Sequence, residues 1–309
     1  MGGSILVTGG SGFIGSHIVE SLVKTDGPKI VVYDVNAKEK TVGKVVNIRG
    51  DVFDSEKLLA VMRRGEVSEV IHMVGLASIP ACTKDPDRSF RLNVSSVHSV
   101  LEAMRMNGAK RLVFPSTAAV YGDVAEPKVD EGLRPKPTSI YGCHKLAAEL
   151  LIRGYAKDYG IDTTILRIFN VYGDFLTEQG VISAFVRRAM EGKPLTVNGG
   201  EQLRDFIHLN NVVNAFTSSL SNVAANQKII NVGSGLGLSI NQIAEMVSEV
   251  FPNTEVVYGT PQNGEYSIYA DISKMRNLLG CEAMDPRLYI PEFIKGCKRE
   301  QAEDSEYNS

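Results

Sequence analysis

The sequence lacks the features that mark membrane-spanning, secreted and nucleic-acid-binding proteins. No apolar run in its 309 residues approaches the roughly 18 residues that a membrane helix needs. The first residues lead directly into a strand pattern with no charged segment before it, so no signal peptide is indicated and we expect a cytoplasmic location. The formal net charge is only -3 at pH 7, without a long block of like charges, so we expect no nucleic-acid partner.

Cysteine is scarce and scattered. The four cysteines, Cys82, Cys143, Cys281 and Cys297, form no CxxC pair and no Cys/His spacing typical of metal ligands. We therefore expect reduced structural thiols, with neither a disulfide framework nor a metal site.

The sequence does contain a regular alternation of short β-branched runs and longer helical patterns. It is 43% hydrophobic and 22% charged, which is typical of a folded globular protein. Parallel strands with crossover helices explain the alternation, so the predicted fold is α/β, a Rossmann-type doubly wound parallel sheet with a smaller α+β substrate lobe. The predicted strands lie near residues 5–7, 30–32, 45–48, 70–74, 111–114 and 164–168, and the predicted helices near 13–24, 55–64, 86–107 and 139–159.

The alternation changes after Asn170, which indicates a domain division. Residues 1–170 are predicted to form the first domain, with segments near 205–235 returning to it, and residues 171–300 to form mainly the second lobe. The polar, acidic residues 301–309 are predicted to be a flexible tail. Such folds hold ligands in the crevice between the carboxyl ends of the strands and the added lobe.

A glycine-rich loop follows the first predicted strand. Gly9, Gly12 and Gly15 form a G-x-x-G-x-x-G pattern that leads at once into an amphipathic helix. Gly9 permits a tight turn, Gly12 lets the backbone approach a pyrophosphate, and Gly15 allows close packing at a helix N-terminus that attracts anions. Glycine triplets are also common in turns, so the loop alone is weak evidence for a dinucleotide site.

An acidic residue at the end of the second strand strengthens this interpretation. Asp34 lies 19 residues after Gly15, close to the roughly 20 expected for a carboxylate that binds the adenosine ribose. Such a carboxylate repels a 2′-phosphate, which favours NAD over NADP. The alternative for Asp34 is a cap on the next turn, and Lys38 and Lys40 leave NADP tolerance open.

Two further polar residues near strand ends have a structural alternative. Asp51 follows the third strand, where a turn cap is favoured over the other interpretation, a hydrogen bond accepted from an adenine amino group. His72 lies within the apolar run of the fourth strand, so a packed core histidine is favoured over a catalyst.

A tyrosine and a lysine downstream have catalytic spacing. Tyr141 and Lys145 are at i and i+4, which places a phenol and an ammonium on one helix face. A tyrosine that acts as a base near pH 7 needs its pKa lowered by roughly 3 units, worth about 4 kcal/mol. A lysine charge roughly 6 Å away contributes about 2.8 kcal/mol at an effective dielectric constant near 20, and a nicotinamide cation can supply the remainder. This spacing is often a chance surface pair, but after the glycine loop and Asp34 the catalytic interpretation is favoured.

A hydroxyl group at the end of the fifth strand completes the candidate site, because it can reach the same substrate oxygen as Tyr141. Thr117 is the favoured hydroxyl and Ser116 the second choice. Ala118 and Ala119 follow, and neither can move a proton.

Together these motifs resemble the extended short-chain dehydrogenases/reductases of the NAD-dependent epimerase/dehydratase family, and most of all the UDP-glucose/UDP-galactose 4-epimerases. The resemblance runs from Ile5 to about Lys274 through TGGSGFIG, Asp34, GDV, HMVGLAS, DPDRSFRLNV, FPSTAAVYG, YGCHK, LRIFNVYG, GEQLRDFIHLNNV and YADISK. It implies NAD as cofactor and a nucleotide sugar as substrate, with transient oxidation to a 4-keto sugar and hydride return to the other face.

The resemblance also implies roles for individual residues. Tyr141 would be the acid/base, Lys145 its electrostatic partner and nicotinamide-ribose ligand, and Thr117 a hydroxyl donor to substrate. The cofactor-lining set that it implies is Gly9, Gly12, Phe13, Ile14, Gly15, Asp34, Val35, Asp51, Val52, Met73, Val74, Gly75, Asn93, Tyr141, Lys145 and Phe169. Asn93 rests on the resemblance alone, because an amide in mid-helix is usually exposed.

Two positions in the second lobe match residues that hold the nucleotide diphosphate in the family, Asn170 and Arg204. A guanidinium suits phosphate oxygens, and the alternative for Arg204 is a salt bridge with Asp205 or Glu201. The family's second phosphate-binding arginine has no counterpart around Gln262, which leaves the sugar and the nucleotide open.

Within the family, Ala118 and Ala119 favour an epimerase, because the dehydratases and decarboxylases resemble each other in carrying acids just after the catalytic hydroxyl. The alternative enzyme is a net NAD-dependent dehydrogenase or reductase, of the threonine dehydrogenase or sugar-nucleotide reductase type. A non-catalytic cofactor sensor is disfavoured by the presence of Thr117, Tyr141 and Lys145.

Two predicted helices carry more apolar positions than one sheet face requires. These positions are Val94, Val97, Val100 and Leu101 in one helix and Leu146, Ala147, Leu150 and Leu151 in the other. The family suggests a homodimer with a two-fold four-helix interface, and ordinary core packing is the alternative.

Overall fold

The structure, a computed structural model, describes residues 3–173, 180–260 and 266–307, with side chains described up to residue 300. Its strands are β1 (Ser4–Thr8), β2 (Ile30–Asp34), β3 (Lys40–Val42), β4 (Val45–Arg49), β5 (Val67–His72), β6 (Arg111–Thr117), β7 (Lys128–Val129), β8 (Asp162–Ile168), β9 (Asn170–Tyr172), β10 (Leu195–Asn198), β11 (Leu203–His208), β12 (Lys228–Val232), β13 (Gly237–Ser239), β14 (Val256–Gly259) and β15 (Tyr269–Ala270). Its α-helices are α1 (Phe13–Val23), α2 (Ser55–Arg64), α3 (Ile79–Lys84), α4 (Pro86–Phe90), α5 (Ser96–Asn107), α6 (Ile140–Tyr159), α7 (Val181–Met190), α8 (Leu209–Ser221), α9 (Ile240–Val250), α10 (Ser273–Leu279) and α11 (Pro286–Tyr307).

Eight strands form a central sheet in the order β12-β8-β6-β5-β1-β2-β4-β3. Neighbouring strands are parallel except β3, which runs antiparallel to β4. Every residue of β1 and β2 is buried, because helices cover both faces of a parallel sheet. The predicted α/β fold with a doubly wound parallel sheet is confirmed.

Side chains that alternate along the strands build two separate apolar cores. On one face Val7 and Val32 pack with α1 and α8, and on the other Leu6 and Val31 pack with α2, α5 and α6. The sequence pattern of these strands is therefore continuous hydrophobicity, with each residue serving one of the two cores.

The strand order reverses at β1, which has β2 on one side and β5 on the other. The loops after β1 and β5 therefore diverge at the carboxyl edge of the sheet. Open α/β sheets bind their ligands at such a point.

Three smaller sheets complete the fold. They are the three-stranded β13-β11-β9 and the parallel pairs β10-β14 and β15-β7. A third apolar core, around Phe185, Val247 and Ile290, lies between α7, α9 and α11. The later strand β12 lies in the central sheet beside β8. The division into lobes at residue 170 and the flexible tail remain predictions, and the backbone of α11 continues to Tyr307.

The two helices considered for an interface differ in how their apolar residues are used. Val97, Val100 and Leu101 of α5 are buried in the chain's own core, as the alternative of ordinary packing requires. Leu150 of α6 is 56% exposed and Phe90 of α4 is 50% exposed. The surplus apolar surface is therefore smaller than the pattern indicates, and it lies on the outer side of α4 and α6.

Within the described ranges, no helix combines the length and the apolar character that a membrane span requires. Over the same residues, no cluster of three or more His, Cys, Asp or Glu side chains is arranged to hold a metal ion. All four cysteines are free thiols, with Cys143 exposed and the other three buried.

Candidate active site

The glycine loop between β1 and α1 packs tightly against the end of β5. Gly9 has a φ of +70°, and a Cβ there would lie 2.8 Å from the carbonyl carbon of Met73. A Cβ on Gly15 would lie 2.4 Å from the carbonyl oxygen of Gly9. Both glycines are therefore required by the protein's own backbone, one for its conformation and one for its close approach.

Gly12 is different, because its surroundings leave room for a ligand. Its φ is -79°, an ordinary value, and among described atoms a Cβ there would meet only Gly9 O, at 3.3 Å. Gly12 is also the N-cap of α1, with no side-chain cap hydrogen bond and no acidic residue in the first turn. Open first-turn N–H groups beside a bare backbone fit a pyrophosphate, so the residues present suit a dinucleotide. Phe13 and Ile14 begin this helix.

Asp34 joins the end of β2 to the glycine loop. Its Oδ2 accepts from the Ser11 backbone N–H at 3.1 Å, and its Oδ1 accepts from the Asn36 N–H at 2.8 Å. The carboxylate therefore serves as the turn cap that was one alternative, and it also holds the loop that would carry the phosphates. A pocket of about 440 Å³ adjoins this turn, lined by Val35, Asn36, Ala37, Lys38, Glu39 and Arg49.

Asp51 also caps a turn, since its Oδ1 accepts from the Phe53 N–H at 3.1 Å. Its backbone carbonyl accepts from the Tyr33 hydroxyl at 3.0 Å. Val52 beside it is buried. The turn interpretation of Asp51 is thus present in the structure, and an adenine contact remains a proposal.

Asn93 is buried, not exposed as an amide in mid-helix is expected to be. It lies in a π-helical turn, Arg91–Ser95, between α4 and α5. Its Oδ1 accepts from the Leu76 N–H at 3.0 Å, and its Nδ2 donates to the Leu76 carbonyl at 3.1 Å. The amide therefore clamps the loop after β5 that contains Met73, Val74 and Gly75. The π turn is the kind of local widening found at functional sites.

His72 is a core histidine, as predicted. Its Nδ1 lies 2.6 Å from Thr8 Oγ1 and its Nε2 lies 3.1 Å from Ser96 Oγ. Burial, followed by the charge of Lys145, lowers the pKa of His72 to about 3, so the imidazole is neutral.

The catalytic candidates meet where α6 begins beside the end of β6. Ser139 caps α6 by accepting from the Gly142 N–H at 3.1 Å. A Cβ on Gly142 would lie 2.5 Å from the Ala119 carbonyl oxygen, so this glycine lets the helix approach the loop after β6. The Thr117 side chain acts on the Tyr141 phenol through a hydrogen-bonding interaction that lowers its pKa. Ser116, the second candidate, is buried and instead donates to the Glu149 carboxylate.

The electrostatics of the tyrosine differ from the prediction. Burial raises the pKa of Tyr141 to about 12, the hydrogen bond from Thr117 lowers it, and Cys82 raises it. The expected lowering of the phenol pKa is thus wrong for the protein chain alone. The Coulomb calculation considered the lysine charge and omitted the cost of burying a phenolate.

Lys145 is itself perturbed. Burial lowers its pKa to about 7, while Glu149 and Cys82 raise it. Its Nζ lies over the Phe114 ring, 4.1 Å from the centroid. Near neutral pH the ammonium is therefore only partly charged, and its charge depends on the groups around it.

The second-lobe candidates lie on neighbouring strands. Strand β8 ends at Ile168, which pairs with Thr117 in the sheet. Phe169 and Asn170 come directly after Ile168, and Asn170 begins β9, so these two residues lie next to the end of β6 that carries Thr117. Asn170 Nδ2 donates to the Asp205 carbonyl at 2.8 Å. Phe169 is buried in the core of the first sheet.

The Arg204 guanidinium lies over the Tyr266 ring, 5.1 Å from its centroid. It donates to the carbonyls of Leu203 and Tyr266. The neighbouring Asp205 carboxylate accepts from the Ser234 and Ala270 backbones, and Glu201 accepts from an asparagine side chain. The position around Gln262 lies outside the described residues.

Two contributors were missed at the sequence level, Glu149 and Cys82. Glu149 stands at i+4 from Lys145, a spacing that was visible in the sequence. Cys82 reaches the site only through the tertiary fold, where its thiol donates to the Leu76 carbonyl at 3.3 Å.

Comparison with known proteins places this geometry among related enzymes. The model of the NAD dependent epimerase/dehydratase family matches residues 5–233. A putative UDP-glucose 4-epimerase of Methanocaldococcus jannaschii is 33% identical over 300 residues, covering 94% of this chain and 96% of the relative.

Solved structures are similar over nearly the whole chain. The UDP-glucose 4-epimerase of Thermotoga maritima, crystallised with UDP-glucose, has a TM-score of 0.87 at 28% identity and covers 96% of this chain and 99% of its own. The UDP-glucose 4-epimerase of Thermus thermophilus, in complex with NAD, has a TM-score of 0.81 at 32% identity, with 94% and 98% covered.

Proposed function

Because the chain belongs to the NAD dependent epimerase/dehydratase family, we propose that it is an NAD-dependent nucleotide-sugar 4-epimerase of the UDP-glucose/UDP-galactose type. The observation that carries the proposal is the Thr117 hydroxyl acting on the Tyr141 phenol, with Lys145 one helical turn further on and two alanines after the threonine. A phenol, a hydroxyl and an ammonium can exchange one proton with a carbinol, and the alanines add no second acid or base.

The proposed cofactor residues surround the crevice at the carboxyl edge of the sheet. The open N-terminus of α1 at Gly12 would receive the pyrophosphate, Asp34 the adenosine ribose, and Lys145 the nicotinamide ribose. When bound, NAD supplies the hydride acceptor and donor and a positive ring near the phenol.

Tyr141 is the proposed proton carrier. As phenolate it takes the proton of the sugar C4 hydroxyl while the carbon is oxidised, and it returns that proton after the 4-keto sugar has turned in the site. Thr117 donates to the same oxygen, and Lys145 stabilises the phenolate. The pKa of Tyr141 is about 12 in the chain alone. For Tyr141 to act as a base near pH 7, its pKa must be lowered by the positive charges of Lys145 and of the bound nicotinamide ring.

The substrate side is proposed at Asn170 and Arg204. Arg204 would bind the diphosphate, and its stacking on Tyr266 holds the guanidinium in a fixed plane. A position in galactose metabolism and a cytoplasmic location are part of the same proposal.

A homodimer through α4 and α6 is proposed from exposed apolar side chains, in particular Phe90 and Leu150. Light scattering of the purified protein should give twice the 33.6 kDa of the chain. Leu150→Glu should shift the mass towards the monomer, whereas Val223→Glu, at a still more exposed site on another face, should leave it unchanged.

The function is tested by supplying UDP-glucose and UDP-galactose separately and following the anomeric protons by NMR. Both reactions should reach the same mixture without accumulation of reduced nicotinamide. A net dehydrogenase would reduce NAD in proportion to the sugar consumed, and a cofactor sensor would convert neither sugar. A panel of UDP-glucuronic acid and UDP-N-acetylglucosamine identifies the sugar if both hexoses are left unchanged.

A further inference from the structure

A buried ion pair lies beneath the candidate catalytic residues. Arg167 of β8 contacts Glu149 of α6 through two hydrogen bonds, Nε to Oε1 at 3.0 Å and Nη2 to Oε2 at 2.7 Å. Both side chains are 3% exposed or less. Buried charges are costly, so a pair of this kind calls for a reason beyond packing.

The same carboxylate joins the helix to both catalytic-edge strands. Ser116 donates to Glu149 Oε1 at 2.5 Å, and Ser116 is the direct cross-strand partner of Arg167 in the β6–β8 pairing. Ser116 precedes Thr117, and Glu149 follows Tyr141 by two helical turns. Glu149 thus fixes the position of α6 against the strand that carries the catalytic hydroxyl.

Glu149 also lies one turn from Lys145 on the same helix face. Other groups of the described residues also lie around Lys145. They are the neutral His72 of β5, the Phe114 ring of β6, the Cys82 thiol of α3 and the Tyr141 phenol of α6 itself. Glu149 is therefore the carboxylate among the groups that raise the pKa of Lys145, and Arg167 is the cation that competes for it.

We propose that Glu149 is a positioning residue for the reaction, which holds α6 against β6 and β8 and keeps the Lys145 ammonium charged beside Tyr141, with Arg167 balancing its charge. The kinetic part of this inference rests on the proposed function. The alternative is an ion pair that only stabilises the fold.

Two variants that break the same ion pair separate these alternatives. Glu149→Gln removes the anion and leaves Arg167 as a second buried cation near Lys145, so the alkaline limb of the kcat/KM–pH profile should move down by about one pH unit or more. Arg167→Gln frees the Glu149 carboxylate for Lys145, so the same limb should move up. The double variant should return towards the wild-type profile. If the ion pair has only a structural role, the alkaline limb should stay in place in both variants or move in the same direction in both. Either result would overturn the proposal.

A readout that needs no turnover accompanies the kinetics. NMR of the 15Nζ-labelled lysines, with Lys145 assigned by Lys145→Arg, should show its titration moving in the same opposite directions. The measurements are repeated in a Cys82→Ser background, which removes the thiol beside Lys145. If the wild-type protein shows no epimerase activity, the proposed function fails while this titration still decides the inference.

The matched control is Thr164→Val, also on β8 but towards its other end. The Thr164 hydroxyl accepts from Arg111 Nη2 at 2.5 Å and donates to the Ala225 carbonyl at 2.7 Å, so its loss removes buried polar contacts without changing charge near Lys145. It should lower the melting temperature and leave the pH profile unchanged.

If Glu149→Gln fails to fold, the upward shift of the alkaline limb in Arg167→Gln remains decisive, and the absence of that shift refutes the proposal.

Discussion

Replacing Thr117 by valine removes a hydroxyl and little else. The side chains are nearly the same size, and the lost contacts are the hydrogen bond to Tyr141 and a 3.2 Å bond in which Thr117 Oγ1 accepts from the Ala119 N–H. A hydrogen bond to a charged group is worth about 1.5–3 kcal/mol, and a neutral one about 0.5–1.5 kcal/mol. Loss of the bond to Tyr141 destabilises the phenolate form of the tyrosine, whereas loss of the bond from the Ala119 N–H destabilises the folded state.

In rate terms, about 1.5–3 kcal/mol corresponds to a roughly 10- to 150-fold fall in kcat/KM for Thr117→Val. Because the Thr117 hydrogen bond lowers the Tyr141 pKa, its loss should also move the acid limb of the pH profile upward. Thr117→Ser retains the hydroxyl and is the matched control. The assay is initial-rate epimerisation over a range of pH, with urea unfolding to follow stability.

Two results would refute this reasoning. One is a Thr117→Val enzyme with wild-type kcat/KM, which would mean that the hydroxyl contacts neither phenolate nor substrate during the reaction. The other is a Thr117→Ser enzyme as slow as the valine variant, which would assign the loss to packing.

Tyr141→Phe should lower kcat by about 100- to 10,000-fold, since the proton carrier is lost, while circular dichroism and cofactor binding remain close to wild type. Lys145→Met should stabilise the fold below about pH 7. The pKa of Lys145 is near 10.5 in the unfolded chain and about 7 in the folded protein, so wild-type stability is lost as the pH falls from 10.5 through 7. Urea unfolding at several pH values checks this, and equal stability of the variant and the wild type at pH 6 would contradict it. Asp205→Asn should cost about 2–4 kcal/mol in the same unfolding experiment, because the amide NH₂ group would replace one of the two acceptor oxygens and face the N–H donor of either Ser234 or Ala270. An unchanged unfolding midpoint would contradict the contacts of that carboxylate.

The regular parts of the fold were predictable because hydrophobic periodicity decides them. Helix α2, Ser55–Arg64, has the predicted bounds, and its buried face follows from Leu58, Val61 and Met62. Strand β3 was missed because all three of its residues are exposed, which leaves no alternation to detect. Its pairing with β4 exists only in the folded sheet.

The site was predictable where spacing alone sets the geometry. Tyr141 and Lys145 share a helix face by their spacing, and the glycine loop follows a strand. The burial of Asn93 was not predictable, because a local pattern does not show that a helix widens into a π turn or which loop the amide meets. The raised pKa of Tyr141 was missed for a related reason, since desolvation depends on neighbours that come from other elements.

The most direct test of the central claim uses a UDP-hexose carrying deuterium at C4. If Tyr141 moves only the hydroxyl proton while the carbon-bound hydrogen leaves and returns as hydride, the epimerised product should keep essentially all of its deuterium at C4 in ordinary water. Product that carries solvent hydrogen at C4, or reduced nicotinamide that accumulates with the oxidised sugar, would contradict the account.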